Sequence, residues 1–335
     1  MTGDSLSIDI AFFAILALII FLAGQKLSLY GDLLAEKTGL GKAWIGLILM
    51  SAVTSLPELM VGISSVSIVG SADLAVGDIF GSCAINLGIL SLMDVFTPKG
   101  HSLLGRVSQN HILAASLGLI LVALAGMGLF VNNDIIFTPS IGITSISFFI
   151  IYLISLRIIY SFNLKHPEIA NREQNAIKLS LRQIIARYAL FAGVIIVAAL
   201  ILPHFAEKIG QAAGLSSSFV GTLLLAFSTS LPEIAVSIAA VKMGSVDLAV
   251  GNLLGSNIFN IFILFIDDVF YVKGHLLKDA SPANLISVFS VIIMSAVVII
   301  GLSYRAKNKR YLLAWDTLLI LVIYIINIGL LYSNQ

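Results

Sequence analysis

The stretch Thr54-Ser55-Leu56-Pro57-Glu58 returns, letter for letter, as Thr229-Ser230-Leu231-Pro232-Glu233. The residues after each copy also match. Asp73-Leu-Ala-Val-Gly-Asp-Ile-Phe-Gly-Ser82 is answered by Asp247-Leu-Ala-Val-Gly-Asn-Leu-Leu-Gly-Ser256, Asn86 by Asn260, and Asp94-Val-Phe by Asp268-Val-Phe. The offset is 175 at the glutamates and 174 afterwards, so one residue is gained or lost between them. The chain is an internal duplication whose best-matched parts are its most polar parts.

Those polar motifs sit in an apolar background. Of 335 residues, 59% are hydrophobic and 11% charged, against roughly 25% charged in an average soluble chain. Apolar blocks such as 10–23, 112–131 and 286–302 approach the ~20 residues that cross a hydrocarbon core of ~30 Å. Spans are expected at 6–25, 43–67, 74–97, 110–131, 137–160, 187–206, 216–241, 247–272, 282–303 and 312–332. The N-terminal block has no Lys or Arg before it and carries Asp4 and Asp9, so it reads as a first span rather than a cleaved signal. A net charge of +1 gives no sign of a nucleic-acid partner, and a single cysteine, Cys83, excludes an intrachain disulfide and a Cys-rich metal site.

With the N-terminus outside, every Lys and Arg except Lys208, Lys273 and Lys278 falls on inner connections, and positive loops stay in the cytoplasm. The expectation is a multi-pass protein of the plasma (inner) membrane with both termini outside. Five spans separate the two motif copies, so the second copy runs upside down, the inverted-repeat plan of many secondary transporters. The expected organisation is an all-α polytopic protein of ten helices. A first five-helix repeat covers 1–162, with its polar repeat at about 51–96. A cytoplasmic loop follows at 163–186, then a second five-helix repeat at 187–335 with its polar repeat at about 226–270.

Proline within a span removes a backbone donor and displaces the carbonyl four residues earlier. Pro57 and Pro232 therefore deny a hydrogen bond to the carbonyls of Val53 and Ser228, and loosen those of Thr54 and Thr229. Glu58 and Glu233 follow at once, each an expensive intramembrane carboxylate with no Lys or Arg in its own span to pair with. Hydroxyls of Ser55, Ser230, Ser82 and Ser256 complete an all-oxygen set. Asn86 and Asn260 lie one turn beyond the last two serines on the same face. Oxygen-only ligation suits Ca²⁺ or Na⁺, and the absence of a Cys-His or His-His pattern disfavours a softer metal. Two glutamates match one divalent or two monovalent cations, which permits exchange.

Other acids read more plainly. Asp73 and Asp247 are expected as helix N-caps. Asp94, Asp267 and Asp268 are expected to be solvated near span ends, and His101 and His275 to be solvated in loops. Asp78, which stands where the second copy has Asn252, reads either as a proton-sensitive carboxylate or as a residue near the outer surface.

These motifs resemble those of the cation/calcium exchanger superfamily, in its prokaryotic sodium/calcium exchanger branch. The matching stretches are 51–86 and 226–260, and length and span count fit over the whole chain. The resemblance implies alternating access with Na⁺ entry driving Ca²⁺ extrusion. It also implies Glu58 and Glu233 as the central ligands, joined by the carbonyls of Thr54, Thr229, Ser51 and Ala226. Side-chain oxygens would come from Ser55, Ser82, Ser230 and Ser256, with Asn86 and Asn260 at the middle. There are departures: Val53 and Ser228 replace the family's usual glycine, and Cys83 stands where the second copy has Asn257. Asn at both middle positions, where some members carry Asp, argues against potassium co-transport. Ca²⁺ and Na⁺ are expected as transported ligands, with no cofactor, no catalytic residues and function as a monomer in the lipid bilayer. The rival readings are Ca²⁺/H⁺ exchange, a static ion-binding membrane protein, and an intramembrane metal-dependent hydrolase, for which no HExxH-like motif is present.

Overall fold

The computed structural model describes residues 3–97, 101–131, 136–138, 141–165, 179–212, 225–305, 309 and 312–333. Its long elements are α1 (Gly3–Thr38), α2 (Lys42–Val69), α3 (Ala72–Phe96), α4 (Asn110–Val131), α5 (Ile143–Lys165) and α6 (Leu181–Ala212). Then come α7 (Ala226–Thr229 continued by Leu231–Lys242), α8 (Val246–Phe270), α9 (Leu285–Tyr304) and α10 (Trp315–Ser333). Among the described residues, nine helices are long and apolar enough to span a membrane. The tenth, α7, begins beside 213–224, which lie outside the described residues, as does most of the expected loop, 166–178.

Three helices differ from expectation. The first helix continues to Thr38, about 54 Å at ~1.5 Å per residue, so Lys26 and Lys37 sit on a helix rather than in a loop. The fifth begins at Ile143, because Ile136–Thr138 (β1) and Ile141–Gly142 (β2) form an antiparallel ribbon pairing Ile136 with Gly142. The sixth runs Leu181–Ala212 instead of 187–206, so it begins inside the expected 163–186 loop.

Burial identifies the centre. The most apolar windows of α3 and α8 are 72% and 78% buried, whereas those of α1 and α10 are only 11% and 22% buried, which puts the latter against lipid. Helices α2 and α7 cross α3 and α8 in the middle of the bundle. Glycine allows the closest crossing. A Cβ on Gly255 would lie 2.1 Å from the Leu47 carbonyl oxygen, and one on Gly46 would lie 2.2 Å from that of Leu248. Small residues at helix crossings are how membrane bundles bring backbones together. At this contact α2 also adopts a π-helical turn, Ile45–Met50.

The inverted repeat is visible in matched long-range contacts, which also correct four expectations. Asp73 and Asp247 do not cap their helices; Ser71 and Ser245 hold the N-cap positions. Instead Asp73 accepts from the Ser281 amide and from Asn284 Nδ2 (3.3 Å), while Asp247 accepts from the Ser108 amide (2.7 Å) and bonds His111 Nε2 (3.0 Å). Nor are Asp94 and Asp268 solvated: both are buried. Asp94 accepts from the amides of Leu103 (2.9 Å) and Ala314 (2.7 Å), from Thr317 Oγ1 (2.8 Å) and from Lys309 Nζ (3.5 Å). Asp268 accepts from the amides of Leu276 (2.7 Å) and Gly142 (3.2 Å). Each of these aspartates fastens a helix end to a loop distant in sequence. His101 is exposed as expected, but His275 is buried.

Candidate cation site

Both central helices break at the serine of the repeated motif. Ser55 (φ −91°, ψ 8°) ends Ser51–Thr54, and a new helix starts at Leu56 with proline in its first turn and Glu58 next. Ser230 (φ −81°, ψ 1°) does the same between Ala226–Thr229 and Leu231–Lys242, with Glu233 in the first turn. Proline tolerates that place because its missing N–H would be unpaired there anyway. Each glutamate thus sits where the positive end of a helix dipole favours an anion.

The two motifs meet across the repeat. Ser55 Oγ donates to Glu233 Oε1 (3.1 Å), and Ser230 Oγ donates to Glu58 Oε1 (3.5 Å). Ser256 Oγ also reaches Glu233 Oε1 (3.4 Å), and Ser82 Oγ lies 3.4 Å from Ser230 Oγ. Thr54 Oγ1 adjoins Ser256 Oγ at 3.5 Å. All these side chains are buried, and among the described residues no cation pairs with either glutamate.

Four buried acceptor oxygens are left without a hydrogen-bond partner here: Oε2 of Glu58, Oε2 of Glu233, Oδ1 of Asn86 and Oδ1 of Asn260. The amide nitrogens of both asparagines are engaged. Asn86 Nδ2 donates to Asn257 Oδ1 (3.1 Å), and Asn260 Nδ2 contacts Cys83 Sγ (3.9 Å). Buried polar atoms are nearly always satisfied, and a donor-poor group of carboxylate and amide oxygens is the chemistry that holds a hard cation.

The serines and threonines divide. Ser51 Oγ bonds the Leu47 carbonyl (2.6 Å) and Thr229 Oγ1 that of Ala226 (3.1 Å), the self-bonding habit of hydroxyls in helices. The carbonyls of Ser51 and Ala226 each accept the amide four residues on (2.9 and 3.0 Å) and a threonine hydroxyl as well. An ion bound at either carbonyl would have to displace the hydroxyl.

Two contributors are not evident from the motif alone. Asn252 Oδ1 accepts from Thr54 Oγ1 (3.3 Å) while its Nδ2 donates to Ser237 Oγ (3.3 Å). Asn257 holds Asn86 while donating to the Cys83 carbonyl (3.3 Å). The sequence signal was their mismatch with Asp78 and Cys83 in the first copy. Replacing Asn257 with Ala releases the Asn86 amide, and loss of a residue that orients a ligand typically weakens binding about 10–100-fold. Equilibrium binding of radiolabelled Ca²⁺ to N257A is expected to show a Kd raised by about tenfold, at the lower end of that range.

Comparison with known proteins identifies the family. The sodium/calcium exchanger protein family model matches residues 8–160 and 184–333. The chain belongs to this family. Among its relatives, an uncharacterized membrane protein of Methanocaldococcus jannaschii is 28% identical over 97% of this chain and 98% of its own. The inner membrane protein YrbG of Escherichia coli is 27% identical over 87% of both chains. Sodium/calcium exchanger MaX1 of Methanosarcina acetivorans is 33% identical over 36% of this chain and 31% of its own. Solved structures of the sodium-calcium exchanger NCX_Mj share the fold, with a TM-score of 0.75 at 24% identity over 97% of this chain and 99% of theirs. As a member of the exchanger family the chain is a multi-pass membrane transporter, not an enzyme.

Proposed function

We propose that the chain exchanges Na⁺ for Ca²⁺ by alternating access, binding both ions in turn at the cage between α2, α3, α7 and α8. The observation that carries this reading is the set of four unpartnered oxygens on Glu58, Glu233, Asn86 and Asn260. Ser55, Ser82, Ser230, Ser256, Thr54 and Thr229 complete the proposed site, together with the backbone at Ser51 and Ala226. Two carboxylates neutralise one Ca²⁺ or two Na⁺, so either load leaves the site electrically balanced, while the empty site carries uncompensated charge in a low dielectric. That difference favours crossing with cargo over crossing without it.

The proposed organisation is two inverted five-helix repeats, 1–162 and 187–335, joined by a cytoplasmic segment at 163–186, acting as a monomer in the plasma membrane with both termini outside. The test is calcium flux in proteoliposomes under sodium, potassium and proton gradients imposed one at a time. An outward sodium gradient alone is expected to drive calcium uptake. Uptake driven by a proton gradient with sodium absent would replace sodium with protons as the coupling ion.

A further inference from the structure

The inverted repeat supplies its own control, and one place fails it. In the second half Asn252 is satisfied by Thr54 and Ser237. The equivalent positions in the first half are Asp78 for Asn252 and Gly62 for Ser237, so both amide and hydroxyl are absent there. Into the space over Gly62 comes Asp267, whose own counterpart is Met93. A Cβ on Gly62 would lie 2.4 and 2.5 Å from the two carboxylate oxygens of Asp267, so only glycine admits that carboxylate against α2. Contrary to the expectation of solvation, Asp267 is buried, at 0% exposure; Asp78, read as a proton-sensitive carboxylate or a residue near the outer surface, is 2% exposed. All four of their carboxylate oxygens are buried without a hydrogen-bond partner. Asp268, next in the chain, is by contrast tied to two backbone amides.

Helical spacing connects these residues to the central cage. Gly62 is one turn beyond Glu58 on α2, Asp78 one turn from Ser82 on α3, and Asp267 two turns beyond Asn260 on α8, each on the face its partner presents. All three steps run toward the end of the bundle where α2 gives way to α3, the outer end in the proposed orientation. Lys273 directs its Nζ to the Gly70 carbonyl (3.0 Å). Among the described residues no cation pairs with Asp78 or Asp267.

We propose that Asp267, packed over Gly62, and Asp78 form a second station for a hard cation, on the path between the central cage and the outer surface. Two unpaired carboxylates inside a membrane protein are costly unless a positive charge joins them. Four acceptor oxygens with no donor among them match the oxygen ligation of Ca²⁺, with water filling the remaining positions. The station takes ions to or from the exchange site, so its role in transport rests on the function proposed above.

The test measures equilibrium binding of radiolabelled Ca²⁺ to the purified full chain, and flux in proteoliposomes, for D78N, D267N, G62A and E58Q. D78N restores the side chain the second repeat already uses, and G62A displaces the Asp267 carboxylate without changing any charge. Both, and D267N, are expected to remove a weaker class of bound Ca²⁺ and to raise the KM for Ca²⁺ at the outer face about tenfold with little change in kcat, the signature of lost binding before the translocation step. E58Q is expected to lose flux yet keep the weaker binding. Wild-type binding in D78N and D267N overturns the station. So does a change confined to the pH dependence of their flux, which would assign the pair to protons. Normal flux in E58Q would instead remove the central site, with the binding of D78N and D267N still deciding the station.

Discussion

Calcium flux in E58Q and in E233Q is expected to fall about two orders of magnitude below wild type while the protein stays folded. Glutamine keeps the size of the side chain and one acceptor oxygen, so the change is chiefly one of charge. With one glutamate left, a bound Ca²⁺ carries an unbalanced charge at the centre of the bundle, and one such charge costs roughly 2.5–3.5 kcal/mol at midspan. Each 1.4 kcal/mol is about tenfold in affinity. Neither glutamate forms an ion pair among the described residues, and each leaves Oε2 unpartnered, so neutralising one removes no existing bridge. Thermal stability in detergent should therefore remain near the wild-type value. Flux close to wild type in both variants would remove these residues from the transport site.

The same charge argument explains why the duplication is useful. A single motif would bring one carboxylate, enough for one Na⁺ but not for Ca²⁺. Inversion places the second carboxylate opposite the first, with each serine donating to the other half's glutamate. The broken helices at Ser55 and Ser230 supply the rest, because each restart points a helix N-terminus at the cage.

Much of this was legible from residues 54–58 and 229–233, because proline and glutamate inside apolar runs announce their own chemistry. The inversion of the two halves and the meeting of the two motifs follow from the repeat and its spacing. What was not legible depends on partners far away in the chain. Asp94 looks like an ordinary span-end acid until Ala314 and Thr317, more than 200 residues on, are seen to bond it. Asp73 and Asp247 occupy the first turn of a helix, where capping is the local expectation, yet loops from the opposite repeat claim them. The closeness of Asp267 to Gly62 comes only from the packing of α8 on α2, which no local pattern records. The helix limits at Thr38 and Ile143 shifted for a related reason: hydropathy marks the membrane-facing length of an element, and hydrogen bonding carries α1 beyond it.

Asp94→Ala is expected to destabilise the chain more than Asp268→Ala, although the two aspartates occupy equivalent repeat positions. Asp94 anchors two backbone amides and the Thr317 hydroxyl, and it faces the ammonium of Lys309, which is itself buried and also bonds the Asp94 carbonyl. Removing the carboxylate leaves a buried positive charge with only that carbonyl, and breaking a buried ion pair from one side costs about 3–5 kcal/mol. Among the described residues Asp268 has no lysine partner, and it holds two amides, so its loss should cost about 1–3 kcal/mol for each donor left unsatisfied. A Lys309→Met change made together with Asp94→Ala removes the stranded charge and is expected to recover part of the loss. Thermal unfolding of the purified variants checks the order: wild type, then D268A, then D94A, with D94A/K309M above D94A. If D94A and D268A unfold alike, the buried lysine contributes nothing and the two ends of the bundle are held by the amide bonds alone.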